Sequence, residues 1–307
     1  MIVFSLLLIF SILFHPSPVF AQVHPSLENF NLSVKNQAEI LFARGRYKES
    51  IEKYKEVLKS EGGTSYIFRA MLKTWKAMDD LSSAEKFLNN YQVSASTHVW
   101  YAFGYLNYLK EDYPNAEKSF ERAIKMDSKN GLAWNNWGAI LSEKKQYTLA
   151  VKKVQKAIEV NPRETIFVWN LNAIYKKMGE LDRFENEYKK LLQRKPKQRA
   201  LTYGKVLARV IRQKAFGFYS KGELDNTILG FEEMLKIYQE IDDIKGQVPV
   251  FFSLGLLHEE KGNIKKAQEY FTRVLSINPN HIQAKEKIKP HNYFLSINFL
   301  NISSPTR

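Results

Sequence analysis

The chain has 307 residues, 44% of them hydrophobic and 25% charged, which is the composition of a folded globular protein rather than a disordered chain. It contains no cysteine, which excludes disulfides, thiolate metal sites and cysteine nucleophiles. The formal net charge of +14 at pH 7 favours acidic partners or anionic surfaces.

Residues 1–21 are predicted to be a secretory signal peptide. Ile2 to Phe14 form an apolar run, shorter than the roughly 20 residues that a membrane-spanning helix needs. Two prolines follow, and Val19-Phe20-Ala21 offers a small-residue cleavage site before Gln22. No Lys or Arg precedes the apolar run, so an uncleaved anchor or a misassigned start codon is the alternative. We expect an exported mature chain, periplasmic, secreted or held in the cell envelope, without a transmembrane span.

A linker at 22–30 precedes a repeating pattern, which is clearest in residues 97–130, 131–164 and 165–198. Each of these units has two apolar stripes at helical spacing, separated by a polar turn. A fixed period of 34 residues is typical of a solenoid. The recurring positions are Trp100, Gly104, Tyr113, Ala116, Phe120 and Ala123, then Trp134, Gly138, Tyr147, Ala150, Val154 and Ala157, then Val168, Asn172, Leu181, Phe184, Tyr188 and Leu191.

These positions resemble the tetratricopeptide repeat family, in which a closing proline follows the second helix. The resemblance implies an all-α fold, a right-handed superhelical solenoid of about seven helix-turn-helix repeats. Gly138 and Ala150 would remove bulk where two helix axes approach, since a larger residue would overpack at about 1–3 kcal/mol. In the third unit Asn172 and Phe184 occupy these small positions, so we expect Phe184 to push its helices apart or to shift their register.

Further repeats are expected on both sides of these three units. The second repeat is degenerate, because Leu72 and Asp79 replace the small residue and the turn glycine. About nine extra residues, Arg199 to Leu207, interrupt the spacing before the sixth repeat. The apolar tail at 290–307 either folds back on the last repeat or has no fixed structure. The expected boundaries are 31–64 and 65–96 before the three units, 208–241 and 248–281 after them, and 282–289 for a capping helix.

Catalytic motifs are not found in the sequence. There is no phosphate-binding loop, nucleophile elbow or dinucleotide fingerprint, and the six histidines are scattered. We therefore predict a protein that is not an enzyme and has no catalytic, cofactor-binding or metal site. The alternative is an accessory domain of an enzyme, or an enzyme whose site the sequence does not reveal.

The resemblance implies a concave groove lined by the second, fifth, sixth, ninth and twelfth positions of each first helix. Asn136 and Asn170 occupy equivalent sixth positions, and an amide that donates and accepts suits a peptide backbone. Two polar residues facing water, and aromatic residues used only for packing, are the alternatives. The groove candidates are Tyr101, Tyr105, Tyr108, Asn136, Trp169, Asn170, Arg209, Arg212, Phe216 and Tyr219.

A carboxylate clamp of the kind that some family members use is not expected in the first repeats. Lys35 stands at a clamp position, but Glu39 stands where the clamp needs Asn.

A basic segment runs from Tyr188 to Gly222 with eleven Lys or Arg residues and no Asp or Glu. It either binds an acidic protein, a glycan or a lipid headgroup, such as an acidic component of the envelope, or it is a solvated face. Nucleic acid is not expected, because export removes the chain from it. The candidate basic patch is Lys189, Lys190, Arg194, Lys195, Lys197 and Arg199.

The preferred function is a non-catalytic, exported scaffold that holds a protein or peptide in its concave groove. The alternative is association with polyanions or anionic surfaces through residues 188–222.

Overall fold

The computed structural model describes residues 33–91, 96–194 and 197–288. Within these ranges the chain forms fifteen helices and no strand, which confirms the all-α prediction. No helix of the described part is long and apolar enough to cross a membrane. The helices are α1 Val34–Ala43, α2 Tyr47–Ser60, α3 Ser65–Ala77, α4 Leu81–Asn90, α5 Thr97–Leu109, α6 Tyr113–Met126, α7 Gly131–Glu143, α8 Tyr147–Val160, α9 Thr165–Met178, α10 Leu181–Leu192, α11 Gln198–Tyr219, α12 Leu224–Glu240, α13 Ile244–Glu260, α14 Ile264–Ile277 and α15 Ile282–Ile288.

Several predicted segments lie outside the described residues. They are the signal peptide at 1–21, the linker at 22–30, the tail at 290–307 and Lys195 of the basic patch. Their predictions therefore stay predictions.

The chain divides into two compact units, one ending at Tyr203 and the other beginning at Gly204. Unit 1 holds α1 to α10 and the first turns of α11, and unit 2 holds the rest of α11 and the helices up to α15. In both units consecutive helices pair as antiparallel hairpins, so the helix-turn-helix organisation agrees with the pattern of apolar stripes.

The turn inside every hairpin contains one residue with a left-handed backbone. Asp79, at the position of an expected glycine, has φ 56°. At the equivalent turn position of other hairpins, Lys145 has φ 60° and Gly179 has φ 76°. The left-handed conformation reverses the chain within a few residues, and it costs non-glycine residues roughly 1–2 kcal/mol. The hairpin geometry is therefore strong enough to impose this conformation on residues that do not favour it.

Close helix contact within a hairpin depends on small residues. A Cβ atom added to Gly138 would lie 2.5 Å from the Cγ2 atom of Val154 and 3.1 Å from the backbone oxygen of Ala150. Since carbon atoms pack at about 3.5–4.0 Å, any side chain at residue 138 would force α7 and α8 apart. The structure thus confirms the reason given for glycine and alanine at these two positions.

The extra residues that interrupt the spacing are helical. Residues 199–207 lie inside α11, which is 22 residues long, and α12 and α13 have 17 residues each. These three helices are therefore longer than the helices that lie wholly in unit 1, which have at most 14 residues, whereas α14 of unit 2 has 14 residues.

Candidate functional site

Three first helices of unit 1 are joined by a chain of side-chain hydrogen bonds. The Asn136 amide donates to the hydroxyl of Tyr101 on α5, at 3.2 Å. The Asn135 amide donates to the oxygen of Asn136 at 3.0 Å, and the Asn170 amide of α9 donates to the oxygen of Asn135 at 2.9 Å. The predicted pair, Asn136 and Asn170, is therefore connected through a third asparagine.

The three asparagines differ in their exposure. Asn135 and Asn136 are 2% and 6% exposed, whereas Asn170 is half-buried. Asn136 thus mainly holds the network together, while Asn170 presents its amide at the surface. Asn135 was not among the predicted residues, although it occupies the fifth position of its unit, a position that the family resemblance points into the groove.

A column of tyrosines runs along α5. The rings of Tyr101 and Tyr105, and those of Tyr105 and Tyr108, stack with centroids 6.0 Å apart. Burial raises the pKa of all three hydroxyls, most strongly for Tyr101, so they stay protonated at neutral pH. Tyr101 is fully buried, where it contacts Tyr105 and Asn136, whereas Tyr108 is half-buried and forms part of the surface.

Arg69 on α3 extends this column. Its guanidinium carbon lies 5.8 Å from the centroid of the Tyr105 ring. Its Nε atom is buried and has no hydrogen-bond partner among the described residues. One turn further, burial and the charge of Arg69 lower the pKa of Lys73. Neither residue was among the predicted groove residues, although they stand at the fifth and ninth positions of the degenerate second repeat.

We call Arg69, Tyr105, Tyr108, Asn136 and Asn170 the first-helix face. The face combines stacked aromatic rings, two amides and a guanidinium with an unused donor, and it extends over α3, α5, α7 and α9. Trp169, also predicted, is half-buried beside Asn170 on α9. This combination of apolar area and polar groups suits recognition of a polypeptide.

The N-terminal ends of the first helices are also held together. Asn130 donates from its amide to the hydroxyls of Ser65 and Thr97, both at 3.0 Å. The Asn161 amide donates to the hydroxyl of Tyr66, at 3.2 Å, which connects the end of α8 to α3. These contacts keep the first helices at a constant separation, so the face is preorganised.

At the start of the chain, Lys35 and Glu39 form an ion pair at 3.7 Å on α1. The prediction against a clamp rests on Glu39 standing where the clamp needs Asn, and it stays a prediction.

The other predicted groove residues lie in unit 2, on α11. Arg209 is exposed, and Arg212 is half-buried, with a pKa lowered by burial. The ring of Phe216 packs edge-on against Phe231 at 5.5 Å, and the Tyr219 hydroxyl donates to Glu260 at 3.1 Å. Phe216 and Tyr219 therefore contribute contacts within their own unit.

The described residues of the predicted basic patch have different surroundings. Lys189 forms an ion pair with Glu185 at 2.7 Å, and Lys197 is exposed. Lys190, Arg194 and Arg199 line one cavity. Over the described ranges no group of three His, Asp or Glu side chains could hold a metal ion.

Comparison with known proteins identifies the repeats. Family models described as tetratricopeptide repeat match residues 101–165 and residues 248–281. A TPR repeat-containing protein of Methanocaldococcus jannaschii is 20% identical over 216 residues, which cover 69% of this chain and 36% of that protein. The chain thus spans about a third of the length of this relative and contains tetratricopeptide repeats.

Solved structures with a similar arrangement share little sequence with the chain. The C-terminal part of a TPR repeat-containing protein from Cytophaga hutchinsonii is 15% identical, with a TM-score of 0.39 over 83% of this chain and 100% of that chain. The APC/C hetero-tetramer Cut9-Hcn1 is 14% identical, with a TM-score of 0.45 over 86% of this chain and 57% of that chain.

Proposed function

We propose that this tetratricopeptide-repeat chain is an exported, non-catalytic scaffold that holds an extended segment of another protein against the first-helix face. The observation that carries the proposal is the hydrogen-bond chain from Tyr101 through the asparagines to Asn170. A preorganised polar and aromatic surface loses little side-chain entropy when a partner binds, and this favours affinity.

The chemistry of the face supports a peptide backbone as the bound group. A carboxamide nitrogen carries two N–H donors, and Asn170 uses one of them on Asn135. The half-buried guanidinium of Arg69, 5.8 Å from the centroid of the Tyr105 ring, adds a positive group whose N–H donors suit a backbone carbonyl or a carboxylate of the partner. The half-buried ring of Tyr108 supplies apolar area beside these donors.

A site-specific crosslinking experiment tests the binding face. A photoreactive phenylalanine analogue replaces Tyr108 or Trp169, and the matched control carries it at Leu149, which is 48% exposed on α8. The full chain is irradiated with an envelope fraction, and adducts are identified by mass spectrometry. We expect one protein to be crosslinked from Tyr108 and Trp169 but not from Leu149. Equal adducts from all three positions would contradict the proposal.

The amide network is tested with the double substitution Asn136→Ala and Asn170→Ala. Truncation of buried or interfacial polar groups costs about 1–3 kcal/mol each, so capture of the crosslinked partner should weaken by about tenfold or more. Capture should resist high salt, because amide contacts are not screened as exposed charges are. Unchanged capture by the double variant would exclude these amides from binding.

Export is a separate part of the proposal and has its own test. It depends on the apolar run and the cleavage site in residues 1–21. N-terminal sequencing of the protein from the cell envelope or the medium should begin at Gln22. A full-length chain recovered only from the cytosol would contradict export and leave the binding face unaffected.

A further inference from the structure

A second candidate site lies away from the first-helix face. A cavity of about 270 Å³ is lined by α8, α10 and the first turns of α11, all within unit 1. Its polar lining consists of Lys190, Arg194, Arg199, Gln155, Glu159, Glu187 and Tyr203. The volume is near the lower end of the range for small-molecule sites, which is about 300–1,000 Å³.

The three cations of this cavity have no carboxylate partner. None of Lys190, Arg194 and Arg199 forms an ion pair within the described ranges of the chain. Some other lysines of unit 1 are paired: Lys144 pairs with Glu117 at 2.9 Å, a contact between neighbouring hairpins. With the carboxylates of Glu159 and Glu187 also in the lining, three positive and two negative side chains leave the cavity with an excess of one positive charge.

The acidic groups of the lining are already engaged elsewhere. Glu159 pairs with Lys156 at 2.9 Å. Glu187 accepts hydrogen bonds from the hydroxyls of Tyr175, at 2.6 Å, and Tyr203, at 3.3 Å, and the Nε of Arg183 lies 3.9 Å from it. These carboxylates are hydrogen-bonded or paired with groups other than Lys190, Arg194 and Arg199, so the N–H donors of the three cations remain available to a ligand.

The wall beneath the cations is rigid. Tyr203 is 4% exposed, and its ring stacks on Phe184 with centroids 5.1 Å apart. Its hydroxyl is directed to Glu187, so both ends of the side chain are fixed. Arg199 is the second residue of α11, a helix with no acidic residue in its first turn. The positive end of a helix dipole favours an anion nearby.

We propose that this cavity binds a phosphate monoester, carried either by a small soluble molecule or by a lipid headgroup. A phosphate monoester has a charge of about −1.5 to −2 at pH 7 and three acceptor oxygens, which match three cationic donors. Arginine binds phosphate with two parallel N–H donors, and the cavity offers two arginines. A carboxylate, with one charge and two oxygens, would be satisfied by a single arginine.

The proposal is independent of the scaffold function. The cavity residues belong to α8, α10 and α11, whereas the first-helix face belongs to α3, α5, α7 and α9. Loss of partner crosslinking with intact phosphate binding would reject the scaffold alone, and the reverse result would reject the cavity alone.

Calorimetry on the full chain tests the site with inorganic phosphate, glycerol 3-phosphate and sulfate. The variant is Arg194→Gln with Arg199→Gln, and the control is Lys152→Gln with Lys176→Gln, two exposed lysines of unit 1 outside the cavity. Both variants lose the same charge. We expect the first to weaken phosphate binding by about tenfold or more and the control to change it by less than about twofold.

The pH dependence separates a phosphate site from a general anion effect. The second pKa of a phosphate ester is about 6, so glycerol 3-phosphate should bind more tightly at pH 7.5 than at pH 5.5, while sulfate should change little. Flotation with vesicles of phosphatidylcholine, with or without phosphatidic acid, identifies the source. Binding to phosphatidic acid vesicles without binding to glycerol 3-phosphate assigns the lipid, and the opposite result assigns the soluble ester. If neither binds, or if the two variants weaken binding equally, the proposal is overturned and the cations form a solvated face.

Discussion

The hairpins α7/α8 and α9/α10 are neighbours with the same 34-residue spacing, yet they pack differently. In α7/α8, Gly138 lets the two helices touch, because a Cβ there would lie 2.5 Å from Val154. In α9/α10, Asn172 takes the place of that glycine, and Phe184 takes the place of alanine. Phe184 is 1% exposed and stacks on Tyr203 of α11. The first hairpin therefore packs within itself at this position, while the second uses a large ring to pack on the next helix.

Phe184, which stands in place of alanine, packs beside the candidate phosphate site. Tyr203 contacts Phe184 with its ring and lines the cavity together with Arg199. A regular repeat with alanine at position 184 would give Tyr203 no ring to stack on. The comparison thus indicates that an irregular repeat in a solenoid is a place where a cavity forms.

The largest expected loss of stability is for Phe184→Ala, which gives α9/α10 an alanine where α7/α8 has one. Removal of a buried phenylalanine costs about 3–5 kcal/mol, because the neighbours do not fill the space. Hydrogen exchange should show faster exchange of amides in α10 and α11 than in α7 and α8. Leu149→Ala, at a residue that is 48% exposed, is the control and should change the stability by less than about 0.5 kcal/mol. Equal results for both variants would mean that the ring has no packing role.

An intermediate loss of stability is expected for Gly138→Leu. The new side chain would collide with Val154 and with the backbone of Ala150, so overpacking should lower the free energy of unfolding by about 1–3 kcal/mol in a urea titration. Asn172→Leu at the equivalent position is the matched variant. Asn172 is half-buried, and its substitution should cost less than about 1 kcal/mol. Similar losses of stability in both variants would show that the two hairpins do not differ in packing at this position.

The smallest changes in stability are expected for substitutions in the turns of the same hairpins. Gly179 has φ 76°, and Lys145 has φ 60° at the equivalent turn. Gly179→Ala should cost about 1 kcal/mol, because a Cβ atom strains this backbone region. Lys145→Gly should change stability by less than about 0.5 kcal/mol, since relief of strain is offset by the flexibility of glycine. A clear loss of stability in Lys145→Gly with none in Gly179→Ala would show that the left-handed conformation of the turn residues does not determine the stability of the hairpins.

Much of the first-helix face was predictable from the repeat register. Asn136 and Asn170 were found because equivalent positions of stacked repeats point the same way. Asn135 and Arg69 also stand at a groove position of the register but were not selected, and the hydrogen bonds of Asn135 were not predictable, since the contacts between neighbouring repeats depend on how far one hairpin is rotated against the next. This rotation is set by packing at the interface and is not encoded in the spacing within one repeat.

The basic segment is a second case in which the sequence gives the residue types but not their contacts. The sequence marks eleven cations in residues 188–222, but it does not indicate which of them converge. Lys190 and Arg194 meet Arg199 because α11 begins at Gln198 and packs beside α10 through Phe184 and Tyr203. Lys189, one residue from Lys190, points to Glu185 instead.

By itself, the amino-acid sequence determined that the chain is helical, where its hairpins turn, and which residues must be small. Apolar spacing and side-chain volume are local properties that each repeat carries in its own residues. Only the tertiary structure decided which asparagines share hydrogen bonds and which cations face a common cavity. Those contacts join residues from different hairpins, and their distances depend on how the hairpins pack against one another.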